Sequence, residues 1–243
     1  MKWSGDGSTS GGVEERGFEL ACEGRTVPGL LWTPANASGA RPLVLLGHGG
    51  SAHKRAPYIL SLGRRLVRHL GFAAAAIDGP VHGDRRPLAA EGAEVRSEFR
   101  RAWRRPETTD EMVADWKATL DALQKLPEIG QAALGYWGLS MGTILGLPFV
   151  AAEPRVGAAV LGLCGTVGPT EGRLARDAAQ ITCPVLFVQQ WDDELFPRER
   201  VHDLFQRLGA RDKSLHANPG AHAAVPPHEF DASEAFFARH LSG

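Results

Sequence analysis

Residues 135–146 read GYWGLSMGTILG, which sets Ser140 between Gly138 and Gly142, after an apolar strand-like run and before a helix-like one. Glycine and serine are ordinary turn residues, so a tight turn is one reading. The other is a nucleophile elbow, in which G-x-S-x-G forces a strained strand-to-helix turn and presents the hydroxyl. A five-residue pattern also arises by chance, so the rest of the chain decides.

Outward from Ser140, buried-type apolar runs alternate with helical segments. PLVLLGHGG (42–50), FAAAAID (72–78) and the runs 132–138, 156–163, 184–190 and 213–217 read as strands. Helical patterns fall at about 58–69, 109–126, 141–152, 198–208 and 228–241. FELAC (18–22) and PGLLWTP (28–34), joined by Glu23-Gly24-Arg25, suit a hairpin. Residues 1–15 are polar and glycine-rich and are expected to be a flexible start, leaving 16–243 as a single domain. This alternation implies an α/β fold with a mostly parallel central sheet and helices on both faces. Ligand sites in such sheets lie beyond the carboxyl ends of the strands. His48-Gly49-Gly50, Asp78, Ser140, Asp192-Asp193 and His222 all follow apolar runs.

The bulk numbers narrow the function classes. A chain of 243 residues is long enough for one large domain with a substantial core. A formal net charge of −1 gives no general pull toward nucleic acid or an anionic membrane. No apolar stretch reaches the ~18–20 residues needed to cross a bilayer, and the start is unlike a secretory leader. Cys22, Cys164 and Cys183 have no metal-ligand spacing, and an odd count points to reduced thiols in a cytoplasmic protein. No metal cluster or phosphate-binding loop is legible, and the oligomeric state stays open.

A serine hydroxyl becomes a nucleophile when a base takes its proton, and that base needs an orienting carboxylate. Downstream lie VLFVQQWDDELFP and LHANPGAHAAVPP, which offer Asp193 and His222 in loops after strands. The loop resembles a G-x-x-D-x-x-x-P pattern, and counting back four from Pro197 within it selects Asp193 over its neighbour Asp192. Taken singly, these are solvated turn carboxylates and a loop histidine; together, in this order and at strand ends, they read as a catalytic set. The oxyanion of an acyl-transfer intermediate would take the amides of Met141 and Gly50, with Gly49 beside the substrate. Gly50 is the candidate because a side chain there would crowd the carbonyl oxygen. In AEVRSEFRRAWRR (93–105), Val95, Phe99 and Trp103 share one helical side. Residues 87–107 then form either a small cap, with Phe99 and Trp103 touching substrate, or an amphipathic surface helix.

LLGHGG, IDGPVHGDRR, GYWGLSMG, PVLFVQQWDDELFP and PGAH together resemble the α/β-hydrolases of the dienelactone hydrolase-like esterase group, over about residues 16–241. The resemblance implies a Ser-His-Asp acyl-transfer mechanism on a small-molecule carboxylic ester, without metal or organic cofactor. It also implies that Asp78 and His82 fix their loop. His48 is expected to hydrogen-bond to backbone and shape the oxyanion loop. Two positions depart from the pattern. Dienelactone hydrolases proper carry a cysteine nucleophile where this chain has Ser140, and Gln190 stands where the acid loop usually has glycine. Amide or peptide cleavage, carbon–carbon cleavage with the same triad, and non-catalytic ligand binding remain open alternatives.

Overall fold

Strands covered on both faces must be apolar throughout, and Leu43–Gly47 (β4), Ala73–Ile77 (β5) and Leu134–Gly138 (β6) are buried along their whole length. Around them run Lys2–Ser10 (β1), Val13–Cys22 (β2), Arg25–Pro34 (β3), Val156–Gly162 (β7), Val185–Gln190 (β8) and Lys213–Asn218 (β9). They form one nine-stranded sheet among the described residues, in the order β1-β2-β3-β5-β4-β6-β7-β8-β9. From β5 to β9 every neighbouring pair is parallel, whereas β1, β2 and β3 make an antiparallel meander on β5. This is an α/β-hydrolase fold. The computed structural model describes the chain except residues 37, 87–92 and 243, and except the side chains of residues 93, 95 and 96.

The helices are Pro57–Leu70 (α1), Ala93–Trp103 (α2), Pro106–Leu123 (α3), Met141–Ala152 (α4), Glu171–Ala178 (α5), Arg198–Arg207 (α6) and His228–Leu241 (α7). Ile59, Leu62 and Leu66 of α1 and Phe237 and Leu241 of α7 bury one face of the sheet. Trp116 and Leu120 of α3, Ile144 and Leu145 of α4, Leu174 of α5 and Val201 of α6 bury the other. Ala-rich β5 would favour a helix on propensity alone. Gly71, at φ 67°, closes α1 just before it by donating to Val67, and pairing with β3 and β4 holds the run extended. No helix among the described residues is long and apolar enough to cross a membrane.

Three expectations need correction. Residues 2–10 are not frayed: they form β1, paired with β2, and Trp3 lies under the Arg16 guanidinium at 4.2 Å. Every β1 residue is exposed, so backbone pairing with this one ring contact carries the strand and no apolar pattern announces it. The helix expected from Thr109 starts at Pro106, whose missing N–H costs nothing at a first helical position. Helix α5 was not expected.

The packing that positions the Ser140 turn is testable at Gly146, where an added Cβ would lie 1.9 Å from the Tyr136 hydroxyl oxygen. Gly146→Ala should lower the unfolding free energy by about 2–4 kcal/mol through overpacking and a displaced hydrogen bond. Gly172→Ala, in α5 with nothing within 4 Å, should leave it unchanged or raise it by about 0.4–1 kcal/mol. Urea unfolding of both variants makes the comparison. Equal midpoints would contradict the packing account.

Candidate active site

The turn from β6 into α4 is built by close approach. A Cβ on Gly142 would lie 2.4 Å from the Gly47 carbonyl oxygen, and one on Gly138 would lie 2.7 Å from the Gly142 oxygen. Ser140 sits between them at φ 58° and ψ −120°, a left-handed position that strains any residue bearing a Cβ. Neighbours hold it there. The Ser140 N–H donates to the Gly162 oxygen at 3.0 Å, and the Gly162 N–H donates to Thr143 Oγ1 at 2.8 Å. Tyr136 donates its hydroxyl to the Gly142 oxygen at 2.7 Å.

Loops after β8 and β9 bring two more groups to this turn. His222 Nε2 lies 2.9 Å from Ser140 Oγ, and His222 Nδ1 lies 2.8 Å from Asp193 Oδ2. With Nδ1–H donating to the carboxylate, Nε2 presents its lone pair to the serine hydroxyl. Asp193 Oδ1 accepts from the N–H groups of Leu195 and Phe196 at 2.8 and 3.0 Å. Burial opposes ionisation of Asp193, but the His222 bond and these two amides outweigh it and hold its carboxyl below the usual range. Asp192 points elsewhere: Oδ2 accepts from the Gly220 N–H at 3.2 Å, tying the two loops together.

Two further residues that carry this geometry escaped the sequence reading. Gln190 Nε2 lies 2.9 Å from the Ala224 oxygen and 3.2 Å from that of Pro219, so the residue in the usual glycine place fastens the acid strand to the histidine loop. Its departure from the family pattern was the available signal. Glu194 Oε2 accepts from the His222 N–H at 2.9 Å, with no motif to mark it.

Across from Ser140, the loop after β4 is stiffened by polar contacts. His48 is buried; Nδ1–H donates to the Gly49 oxygen at 2.9 Å and Nε2 accepts from the Gly79 N–H at 2.8 Å. That bonding needs a neutral ring, and burial pushes its pKa well below the ordinary imidazole range. The Gly49 N–H donates to the Tyr58 hydroxyl at 2.7 Å. Asp78 faces no open site: it accepts from the Lys54 and Asp84 N–H groups and from Lys54 Nζ, which also reaches Asp84 at 2.6 Å. Gly50 and Met141 are neighbours, and among the described residues neither backbone N–H has an acceptor. A Cβ on Gly50 would meet nothing closer than 3.8 Å, so the crowding expected there does not come from the protein's own atoms.

Phe99 of α2 borders Gly50, lies edge-on to His82 at 5.3 Å and stacks on Trp103 at 6.0 Å. Trp103 is anchored on its other side, its indole N–H donating to Thr170 Oγ1 at 2.9 Å. Residues 87–92 and the Val95 side chain, both part of the expected cap, lie outside the described residues.

Comparison with known proteins adds a family to this geometry. Residues 71–233 match the dienelactone hydrolase family. The chain is 43% identical to a cold-adapted esterase from an Arctic intertidal metagenomic library, solved as a PEG-bound complex. The match covers 99% of this chain and 100% of that one, with a TM-score of 0.89. At 18% identity the fold is shared with an acetyl xylan esterase from Paenibacillus sp. R4, covering 99% of this chain and 88% of that one, TM-score 0.77. It is also shared with ferulic acid-bound Est1E from Butyrivibrio proteoclasticus, covering 93% and 100%, TM-score 0.71. No curated protein matches the chain. With more than half of its length matching the family, the chain belongs to the dienelactone hydrolase family.

Proposed function

We propose that this protein is a serine esterase that cleaves carboxylic esters of small to medium soluble substrates through an acyl-enzyme. The observation that carries the reading is the Ser140–His222–Asp193 relay, with contacts of 2.9 and 2.8 Å. The 43% identity to a protein described as an esterase supports the ester as substrate.

His222 Nε2 takes the Ser140 proton while Oγ forms a bond to the carbonyl carbon. The carbonyl electron pair moves to oxygen, and the Met141 and Gly50 N–H groups receive the negative charge. Met141 opens α4, so the positive end of the helix dipole adds to its N–H. Collapse expels the alcohol, which takes its proton from His222. Water, deprotonated by the same ring, then releases the acid and restores the serine. Asp193 holds the tautomer and stabilises the cationic ring. Phe99, bordering Gly50, limits acyl length.

One mutant series tests the relay. Ser140→Ala should lower kcat on the order of 10⁶-fold, with the melting temperature little changed, since alanine keeps a Cβ at the same φ. Asp193→Asn should lower kcat on the order of 10⁴-fold, and Asp192→Asn less than about 10-fold, since it disturbs loop contacts alone. Turnover surviving in folded Ser140→Ala sinks the serine mechanism, and a larger loss at Asp192 reverses the assignment.

The aromatic pair makes a separate prediction. Across a p-nitrophenyl ester chain-length series, Phe99→Ala should raise kcat/KM for long acyl chains relative to short ones by about 10-fold. Trp103→Ala should shift that ratio less and lower stability more, because Trp103 anchors to Thr170. An unchanged ratio in folded Phe99→Ala removes α2 from the specificity argument.

A further inference from the structure

His82 stands outside the relay, yet it is only 2% exposed and both of its ring nitrogens are engaged. Nδ1 lies 2.7 Å from the Pro80 oxygen, and Nε2 lies 2.8 Å from the Gly50 oxygen. A carbonyl oxygen only accepts, so each bond needs a hydrogen on the nitrogen that makes it, and the single N–H of a neutral ring serves Gly50 in the Nε2–H tautomer and Pro80 in the other. The two bonds have different reach. Pro80 is in His82's own loop, where the Nδ1 contact closes a local turn beside the His82 N–H to Gly79 oxygen bond of 3.2 Å. Gly50 belongs to another loop, after β4, so the Nε2 contact ties two loops together.

Gly50 is the point where two peptide units meet. The unit before it contains the Gly49 carbonyl and the Gly50 N–H; its oxygen accepts from His48 Nδ1 at 2.9 Å and from the Ala52 N–H at 3.1 Å. The unit after it is held by its own oxygen, on His82 Nε2. A planar trans peptide points its N–H opposite its C=O, so the bonds on the Gly49 oxygen set where the Gly50 N–H points, and the bond on the Gly50 oxygen anchors the same Cα from its other side. Side-chain packing does no such work, because glycine has no Cβ and the space around it is open to 3.8 Å. The His82 ring plane is itself set by Phe99 edge-on at 5.3 Å and by His48 at 5.3 Å.

We propose that His82, through Nε2, is a positioning residue for ester hydrolysis: it anchors the Gly50 carbonyl, and through it the place of the Gly50 Cα, so that the Gly50 N–H meets the oxyanion. The proposal rests on the serine-esterase reading and on Gly50 as an oxyanion donor. Local loop fixing alone would work through Nδ1 and Pro80 instead.

Two conservative variants separate these roles. Glutamine places an amide N–H near the Nε2 position, and asparagine places one near Nδ1 without reach to Gly50. His82→Asn should lower kcat for a p-nitrophenyl ester by about 10–100-fold with KM changed less than about twofold, as expected for a misaligned oxyanion donor. His82→Gln should rescue most of this, to within about fivefold of the parent enzyme. A trifluoromethyl ketone, whose adduct on Ser140 carries an oxyanion, should bind His82→Asn more weakly by a factor similar to the kcat loss. Equal losses in both variants at matched melting temperatures, or a greater loss in His82→Gln, overturn the proposal. If His82→Asn does not fold, His82→Gln decides alone: a loss beyond fivefold overturns the proposal and a smaller one supports it. Failure of the serine reading would appear separately, as turnover persisting in Ser140→Ala.

Discussion

Between β4 and α4 there is room for hydrogen atoms and nothing larger: the Gly142 position faces the Gly47 carbonyl at a distance no Cβ could occupy. That contact brings the start of α4 down onto the sheet and forces the chain through the left-handed turn at Ser140. Strain of this kind costs on the order of 1–3 kcal/mol. It persists because the Gly162 oxygen, Thr143 and Tyr136 hold the flanking backbone from three sides. The same close approach puts the first amide of α4 beside Gly50. The proposed nucleophile and the proposed oxyanion donor are thus two consequences of one packing constraint.

The remaining groups come from loops, and loops need cross-links to hold atoms to a few tenths of an ångström. Here the links are polar, and they range from the buried Lys54–Asp78 pair to the exposed Asp192 contact. Lys54, in the loop after β4, joins Asp78 and Asp84, Gln190 fastens β8 to the loop that carries His222, and Asp192 bonds the Gly220 amide. A buried ion pair such as Lys54–Asp78 is weak evidence of net stability, since desolvation offsets much of its attraction. Its evident effect is on geometry: it pins the segment that follows Gly50 to the loop that carries His82. Preorganised dipoles need no rearrangement when charge develops on the substrate, and that is the condition for oxyanion stabilisation.

The parallel strands were legible because burial on both faces leaves an unmistakable apolar run, as in LVLLG and AAAAI. β1 was not legible, because its residues are all exposed and its pairing rests mainly on backbone. α5 escaped because it is eight residues long with Leu174 and Ala178 as its only buried residues, too few to show a period. At the site, spacing from Pro197 distinguishes Asp193 from Asp192 because adjacent side chains on a turn diverge. The roles of Gln190 and Glu194 were hidden because each binds backbone that is near only in space. Gly50 could be named from its loop, but the reason given for it was incomplete. The His48 bond to backbone was expected, whereas the His82 bond to the Gly50 oxygen was not, because the two loops meet only in space.

The central claim is that Ser140 carries the acyl group during turnover. Intact-protein mass spectrometry during rapid-quench hydrolysis of a p-nitrophenyl ester, followed by peptide mapping, tests it directly. The account predicts one acyl group per chain, located on the peptide containing Ser140, appearing with the burst of p-nitrophenol and decaying as acid is released. Full turnover with no covalent adduct at any time, or an adduct on another residue, would contradict it.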